Sequence, residues 1–272
     1  MSAKASNNWA TSAWKVQMLI NQVKKQVGPV HSLVSIYVFS ITEDEKDYIR
    51  QNLIDIASPF NEDVKYQDVA KELLDFFESK SKDGQPGSTE YGAVAEFLLT
   101  VVSRHLGFQQ GHSYRNLEEN SIKKGFDGVY LDVEKNVWLL ESKSTFTQDN
   151  RGGTISLAKN GLKDFVTGNT ENDPWRNAVA HAMARENRNK SLIDKLKNIE
   201  RDYRNENYML TTDVRAILGS TVFTTDTSYS GNTVSDLSKI IYKHEFLEEI
   251  VLAMNVKDVD LLKDILKELG NE

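Results

Sequence analysis

The sequence contains no cysteine, which excludes disulfides and thiolate-bound metals, and its five histidines lack the His-x-x-x-His spacing of a helical zinc site. Any metal centre must therefore be built mainly from oxygen ligands. No run approaches the roughly 18 to 20 uninterrupted apolar residues of a membrane span. Met1 to Lys15 shows no apolar signal core ending in small residues. These absences predict a cytoplasmic protein with no membrane partner. Excess positive charge is also lacking. A formal net charge of -7 argues against a protein that coats nucleic acid through a general positive field. It leaves a nuclease open, because a phosphodiester-handling site needs acidic residues to hold cations. Weak unaided DNA binding would also suit a chain that must not cut its host's DNA, a first hint of control by a partner.

At 272 residues the chain can bury one sizeable core, or a core plus a smaller lobe. Val30 to Ile41 is rich in Val, Ile, Tyr and Phe and predicts a strand. A helix is expected from Thr42, with Glu43, Asp44 and Glu45 where the helix dipole favours negative charge. Val69, Leu73, Leu74 and Phe77 have helical spacing within a second helix, Val64 to Glu78. The polar, breaker-rich stretch Ser79 to Ser88 is the clearest loop. Ser88 or Thr89 can cap a third helix, with Tyr91, Val94, Ala95, Leu98, Leu99, Val102 and Leu106 on its apolar face and Gly107 at its end. Strands are expected over Gly125 to Val133 and Asn136 to Ser144, joined by a tight hairpin at Glu134-Lys135. Helical pattern returns over Gly152 to Val166 and Trp175 to about Asn207. Val214 to Thr224 and Phe246 to Val256 read as strands, and Leu261 to Leu269 as a last helix. The sequence thus predicts an α/β fold with a mixed central sheet flanked by helices. Three segments are expected: an N-terminal α/β lobe over 1–85, a core over 86–170, and a C-terminal helical and strand region over 171–272 packing on that core.

Two charged stretches stand out. Residues 185–205 hold seven Lys/Arg against four Asp/Glu, and 245–272 hold eight Asp/Glu against three Lys. The first is a solvated helix face or a contact to a DNA backbone; the second is a solubilising surface or faces a basic partner.

Chemistry concentrates in the hairpin. The strand Val137-Trp-Leu-Leu-Glu141-Ser-Lys143 has apolar residues on both faces, as a central strand does. Residues two apart in a strand point the same way, so Glu141 and Lys143 share one site, about 6 to 7 Å apart along the chain. The preceding strand, Gly125-Phe-Asp127-Gly, brings Asp127 alongside, with Gly125 and Gly128 leaving room around it. Phosphodiester hydrolysis needs a hard cation to neutralise the phosphate and acidify a water, and a group that orients that water. Asp127 and Glu141 supply hard oxygens, the Ser142 carbonyl can add another, and Lys143 can position or help deprotonate the water. Glu-x-Lys alone says little: Glu78-Ser79-Lys80 repeats it in a polar segment with no apolar strand before it. The bland alternative for Glu141 and Lys143 is an ion pair at a strand end. Glu96 on the third helix can add a carboxylate, one turn after Gly92, whose missing side chain would let the sheet backbone approach; a plain edge glutamate fits equally. Glu90 is a weaker candidate. Lys159 and Lys163, four apart on the next helix, can touch phosphates or simply be solvated.

Gly92 and Glu96 on a helix, Asp127 on a strand, Glu141-x-Lys143 on the next and a helix after it resemble the PD-(D/E)xK nuclease superfamily over roughly residues 86–170. Phe126-Asp127 stands where many members have Pro-Asp. The Gly-Phe-Asp-Gly segment, the Leu-Leu-Glu-Ser-Lys strand and Arg215 to Val222 are similar to HamA, the nuclease-type subunit of the bacterial Hachiman anti-phage system, and to the related AbpA proteins. The resemblance implies a restriction-endonuclease-like core and a DNA-cutting effector that uses Mg2+, or Mn2+, and is held in check by a HamB-like helicase partner. In that reading Asp127, Glu141 and Lys143 are catalytic, with Asp127, Glu141 and Glu96 as metal ligands. Two other readings stay open: an inert adaptor that keeps the fold to dock a helicase, and a nuclease acting on RNA. Intact Asp127, Glu141 and Lys143 speak against the adaptor.

Overall fold

In a computed structural model of the chain, residues 23–58, 63–81, 86–114, 125–146, 150–185, 189–226 and 234–272 are described. Met1 to Lys15 and residues 82–85 of the loop lie outside that set. The elements run β1 (Val23–Gln26), β2 (His31–Val38), α1 (Glu43–Ala57), α2 (Tyr66–Glu78), α3 (Ser88–His105), β3 (Gln109–Gln110), β4 (Gly128–Leu131), β5 (Val137–Thr145), α4 (Arg151–Val166), α5 (Pro174–Ala184), α6 (Lys190–Arg204), β6 (Arg215–Phe223), α7 (Val234–Ile241), β7 (Glu248–Val256) and α8 (Asp260–Asn271).

The strands form one mixed seven-stranded sheet in the order β1-β2-β7-β6-β5-β4-β3. Neighbours among β2, β7, β6 and β5 are parallel, and antiparallel strands close both ends. The expected α/β class and helix-flanked mixed sheet are therefore observed. Strands from all three segments pair in this sheet, with β6 and β7 at its centre. Each central strand buries both faces because alternate residues enter different helical layers. Leu140, Ile217 and Leu252 pack with α1, α2, α3 and α8. Leu139, Leu218 and Val251 pack with α4, α5, α6 and α7. Among the described residues no helix is long and apolar enough to cross a membrane.

Local signals account for most helix ends. Thr42 caps α1: its hydroxyl accepts from the Glu45 N–H at 3.3 Å while the Glu45 carboxylate accepts from the Thr42 N–H at 2.6 Å. Gly87, not Ser88 or Thr89, holds the cap position of α3, because Gly87 is the last extended residue and Ser88 is already helical. Gly107 follows α3 with φ +93, the left-handed conformation that favours glycine.

The β4–β5 connection corrects the expected tight two-residue turn. Leu131 pairs with Val137, Asp132 N–H reaches the Asn136 carbonyl at 3.2 Å, and Lys135 takes φ +64, giving three residues between Asp132 and Asn136. The Asp132 carboxylate sets this length by accepting from Glu134 N–H, Asn136 N–H, Asn136 Nδ2 and Trp138 Nε1, all at 2.8 to 2.9 Å.

The charged stretches are partly engaged by the chain itself. In the basic one, Leu192, Ile193 and Leu196 of α6 face inward, Arg204 pairs with Glu200 and Asp173, and Lys195 donates to the Lys135 carbonyl. At the acidic end, Glu268 binds Lys46 and Glu272 binds Arg50, both on α1.

Candidate active site

β5 carries its apolar run into the sheet and delivers its charges at the end where burial gives out. Residues from Trp138 to Glu141 are buried and those from Ser142 to Thr145 half-buried. Alternation sends Leu139, Glu141 and Lys143 toward the α4 layer. Glu141 is only 4% exposed. Its Oε1 accepts from Lys143 Nζ at 2.6 Å, and its Oε2 is buried with no hydrogen-bond partner. The chain leaves room for this carboxylate at Gly161 of α4. A Cβ there would lie 3.1 Å from Glu141 Oε1 and 3.5 Å from its Cδ, so a larger residue would push the side chain.

Asp127 is the residue immediately before β4. Gly128 pairs with Leu140, so the antiparallel register sets Asp127 opposite Glu141. Its Oδ2 accepts from the Ser142 N–H at 2.7 Å and the Ser142 hydroxyl at 2.8 Å. That N–H points to the β4 side, and in an extended strand the carbonyl of the same residue points the same way. The space at Gly128 is filled by Tyr130 and His112 rather than kept for Asp127, and Gly125 lies against Pro174.

These charges act on one another. Burial, then the negative charge of Asp127, pushes the Glu141 carboxyl well above the usual carboxylate range, against the pull of Lys143 and with a further upward push from Glu96. Burial works against the Lys143 ammonium, but Glu141, Asp127 and Glu96 outweigh it and hold its pKa above the ordinary lysine value. Glu96, half-buried on α3 in the opposite layer, is thus within electrostatic reach of both.

Two expectations around this cluster need correction. Gly92 does not admit a close neighbour: nothing lies within 4 Å of a Cβ built there, and the close approach at a helical glycine is made from the other layer, at Gly161. Glu90 is fully buried but is held by Ser81 Oγ at 2.6 Å and Lys263 Nζ at 3.1 Å, a structural ion pair. Lys159 is half-buried and Lys163 exposed on α4. Helical geometry sets both on the flank away from Gly161, so the structure does not bring them beside Glu141.

The sequence reading missed Gly161, although a glycine inside a helical pattern is a signal of close approach. It also missed the Ser142 hydroxyl, which one-strand logic sends to the opposite face. A cluster of rings caps this end of the sheet: Tyr91 stacks edge-on against Phe223 at 4.6 Å and tilts over Phe146 at 5.6 Å, with Phe146 64% exposed.

A hard cation fits the donor set. Asp127 and Glu141 offer carboxylate oxygens, and the buried Glu141 Oε2 lacks a partner. Burial, then repulsion from Asp127, raises the Glu141 pKa, and a bound cation would offset both. Among the described residues no three His, Asp or Glu side chains already converge on one point. Two carboxylates with water completing the shell is the usual protein share for Mg2+.

The model of the HamA family matches residues 17–268. The chain belongs to the HamA family. The match spans nearly the full length, from before β1 into α8, and therefore takes in every residue of the cluster. Membership places this HamA-family chain among the subunits of Hachiman antiviral defence systems. Among curated proteins none matches it.

Proposed function

We propose that this HamA-family chain is a Mg2+-dependent DNA endonuclease of the PD-(D/E)xK type, the effector of its defence system, controlled by a helicase partner. The observation that carries the proposal is the buried Glu141 carboxylate, with one oxygen on Lys143, the other without a partner, and Asp127 and Glu96 close enough to raise its pKa. An ion pair built only for stability would not place further carboxylates where they oppose the charge. Glu141 and Asp127 would hold the cation, with Glu96 as a third carboxylate at the edge.

Bound Mg2+ would supply charge neutralisation at the phosphate and a more acidic water. Lys143 has the remaining role. Its Nζ already sits on a prospective ligand at 2.6 Å, where it can orient a water for in-line attack and stabilise negative charge building on the phosphate oxygens. Ser142 fixes Asp127 through its N–H and hydroxyl, so the carboxylate is oriented before substrate arrives. The acidic net charge favours DNA delivered by the helicase over capture by the free chain.

The test is cleavage of plasmid and linear DNA, and of RNA, with Mg2+ or Mn2+, comparing the unaltered chain with Glu141→Ala/Lys143→Ala, each with and without the co-expressed helicase. Metal-dependent DNA cutting that disappears in the double variant is expected. Equal cutting by the variant would show that the cleavage does not come from this site, and none under any condition would replace the nuclease with the adaptor reading.

A further inference from the structure

A second polar cleft lies at the other end of β4 from Asp127, against the short edge strand β3. Helices α1 and α3 of one layer and α5 and α6 of the other meet over this edge, leaving a cavity of about 270 Å3. Two guanidiniums share a single carboxylate there: Arg104 Nη1 lies 2.7 Å from Asp55 Oδ2, and Arg185 Nη2 lies 2.5 Å from Asp55 Oδ1. Their side chains are 15% and 7% exposed. Arg104 also donates to Gln110 Oε1 at 3.2 Å and Asn52 Oδ1 at 3.0 Å, and its Nε is buried without a partner. Arg185 donates to the His112 carbonyl at 2.8 Å. Burial, and the charge of Arg104, lower the Arg185 pKa against the pull of Asp55.

One arginine and one aspartate would suffice to tie the helical layers across the sheet edge. The second guanidinium, the unpartnered Nε and the open volume are left over from that explanation. They give the cleft one positive charge in excess among Asp55, Arg104 and Arg185, in a partly dry setting where an uncompensated charge is costly. Guanidinium forks match phosphate oxygens in geometry as well as charge. Tyr48 and Phe108 line the same cavity, as do the amides of Asn52, Gln109 and Asn189, a composition suited to the face and edges of a base.

We propose that this cleft binds a nucleoside phosphomonoester, with its phosphate on Arg104 and Arg185 and its base toward Tyr48 and Phe108. The cavity accommodates a mononucleotide and is too small for duplex DNA. The ligand is either a free nucleotide or the phosphorylated end of a strand. The proposal does not depend on Glu141 being catalytic.

The four 5′-deoxynucleoside monophosphates, the matching nucleosides, and single strands with a 5′-phosphate or a 5′-hydroxyl are titrated calorimetrically against the full chain in EDTA. The expected result is binding of at least one phosphorylated probe and at least tenfold weaker binding of its unphosphorylated counterpart. Arg185→Gln should weaken that binding tenfold or more. So should Gln109→Glu, which adds a negative charge at an exposed lining residue and leaves the buried network alone. Binding of free monophosphates would identify the nucleotide as the ligand; binding confined to phosphorylated strands would identify a strand end. No phosphorylated probe bound at millimolar concentration, or binding unchanged by both substitutions, would overturn the proposal. Glu141→Ala/Lys143→Ala should leave this affinity unchanged even if the nuclease reading fails; its loss there would place the ligand at the other site and refute the assignment.

Discussion

Glu141→Gln separates a catalytic carboxylate from a structural one by the sign of its effect on stability. The folded chain holds the Glu141 proton more tightly than an unfolded chain does, because burial and Asp127 raise its pKa above the ordinary glutamate value near 4.3. A raised folded pKa gives a contribution that is complete below the unfolded value and is lost as pH rises through the folded one. Each unit of the raise corresponds to about 1.36 kcal/mol. Above the folded pKa the ionised group leaves Oε2 buried and unpartnered, a desolvation cost of about 1–3 kcal/mol. Glutamine keeps the shape and an oxygen for Lys143 but carries no charge. The variant should therefore be more stable than the unaltered chain by about 1–2 kcal/mol at pH 8 without divalent ions, and equal to it near pH 4. Mg2+ at a hundredfold excess over its dissociation constant should add about 2.7 kcal/mol to the unaltered chain and little to the variant. Urea unfolding followed by tryptophan fluorescence, in EDTA and in Mg2+ at both pH values, measures all of this. A variant destabilised by about 2 kcal/mol or more at pH 8 would mean that the pair with Lys143 holds the fold together, and the reasoning would be wrong.

Gly161→Ala should leave the melting temperature unchanged or raise it, since alanine favours the helix by up to about 1 kcal/mol. Its Cβ would nevertheless crowd Glu141 Oε1 at 3.1 Å and should weaken the Mg2+ response of DNA cleavage roughly tenfold, by analogy with loss of groups that orient metal ligands; an unaltered Mg2+ titration would refute the contact's importance. Asp132→Ala removes the acceptor of four hydrogen bonds and should cost about 2–3 kcal/mol at pH 7. Burial pushes the Asp132 pKa up, but the Trp138 and Asn136 donors outweigh it and hold the value below the usual range. That contribution is present above the unfolded pKa and disappears as pH falls through the folded one, so the gap between the denaturation midpoints of variant and unaltered chain should narrow steadily as pH falls below the ordinary aspartate value near 3.9; a gap that does not narrow would count against the hydrogen-bond account. Thr42→Ala breaks the α1 capping box and should cost about 1 kcal/mol in the same assay, with no change in DNA cleavage.

Much of the fold was legible because the signals involved are local. The Thr42 cap, the periodicity of α2 and α3, the left-handed end at Gly107 and the apolar runs of β5, β6 and β7 each depend on residues a few positions apart. The hairpin length was less legible: Glu134-Lys135 suits a tight turn, but Asp132 gathers donors as far on as Trp138 and draws one more residue into the loop. Strands β1 and β3 are too short to carry a pattern and exist through their pairing with β2 and β4. Helix α7 also went unread, its eight residues spanning only about two turns.

The sequence by itself determined that any metal centre would rest mainly on oxygen ligands, that the chain would form an α/β sheet, and that Asp127, Glu141 and Lys143 would share one neighbourhood. Strand alternation and hairpin adjacency follow from covalent geometry alone. Tertiary structure decided the rest. It buried Glu141 against Gly161, turned Asp127 to Ser142, assigned Glu90 to Lys263 rather than to the site, and turned Lys159 and Lys163 away. It also joined Asp55, Arg104 and Arg185 from three distant segments over one sheet edge. A charged side chain's pKa and partners depend on which helices are packed against its strand, and no short-range pattern encodes that choice.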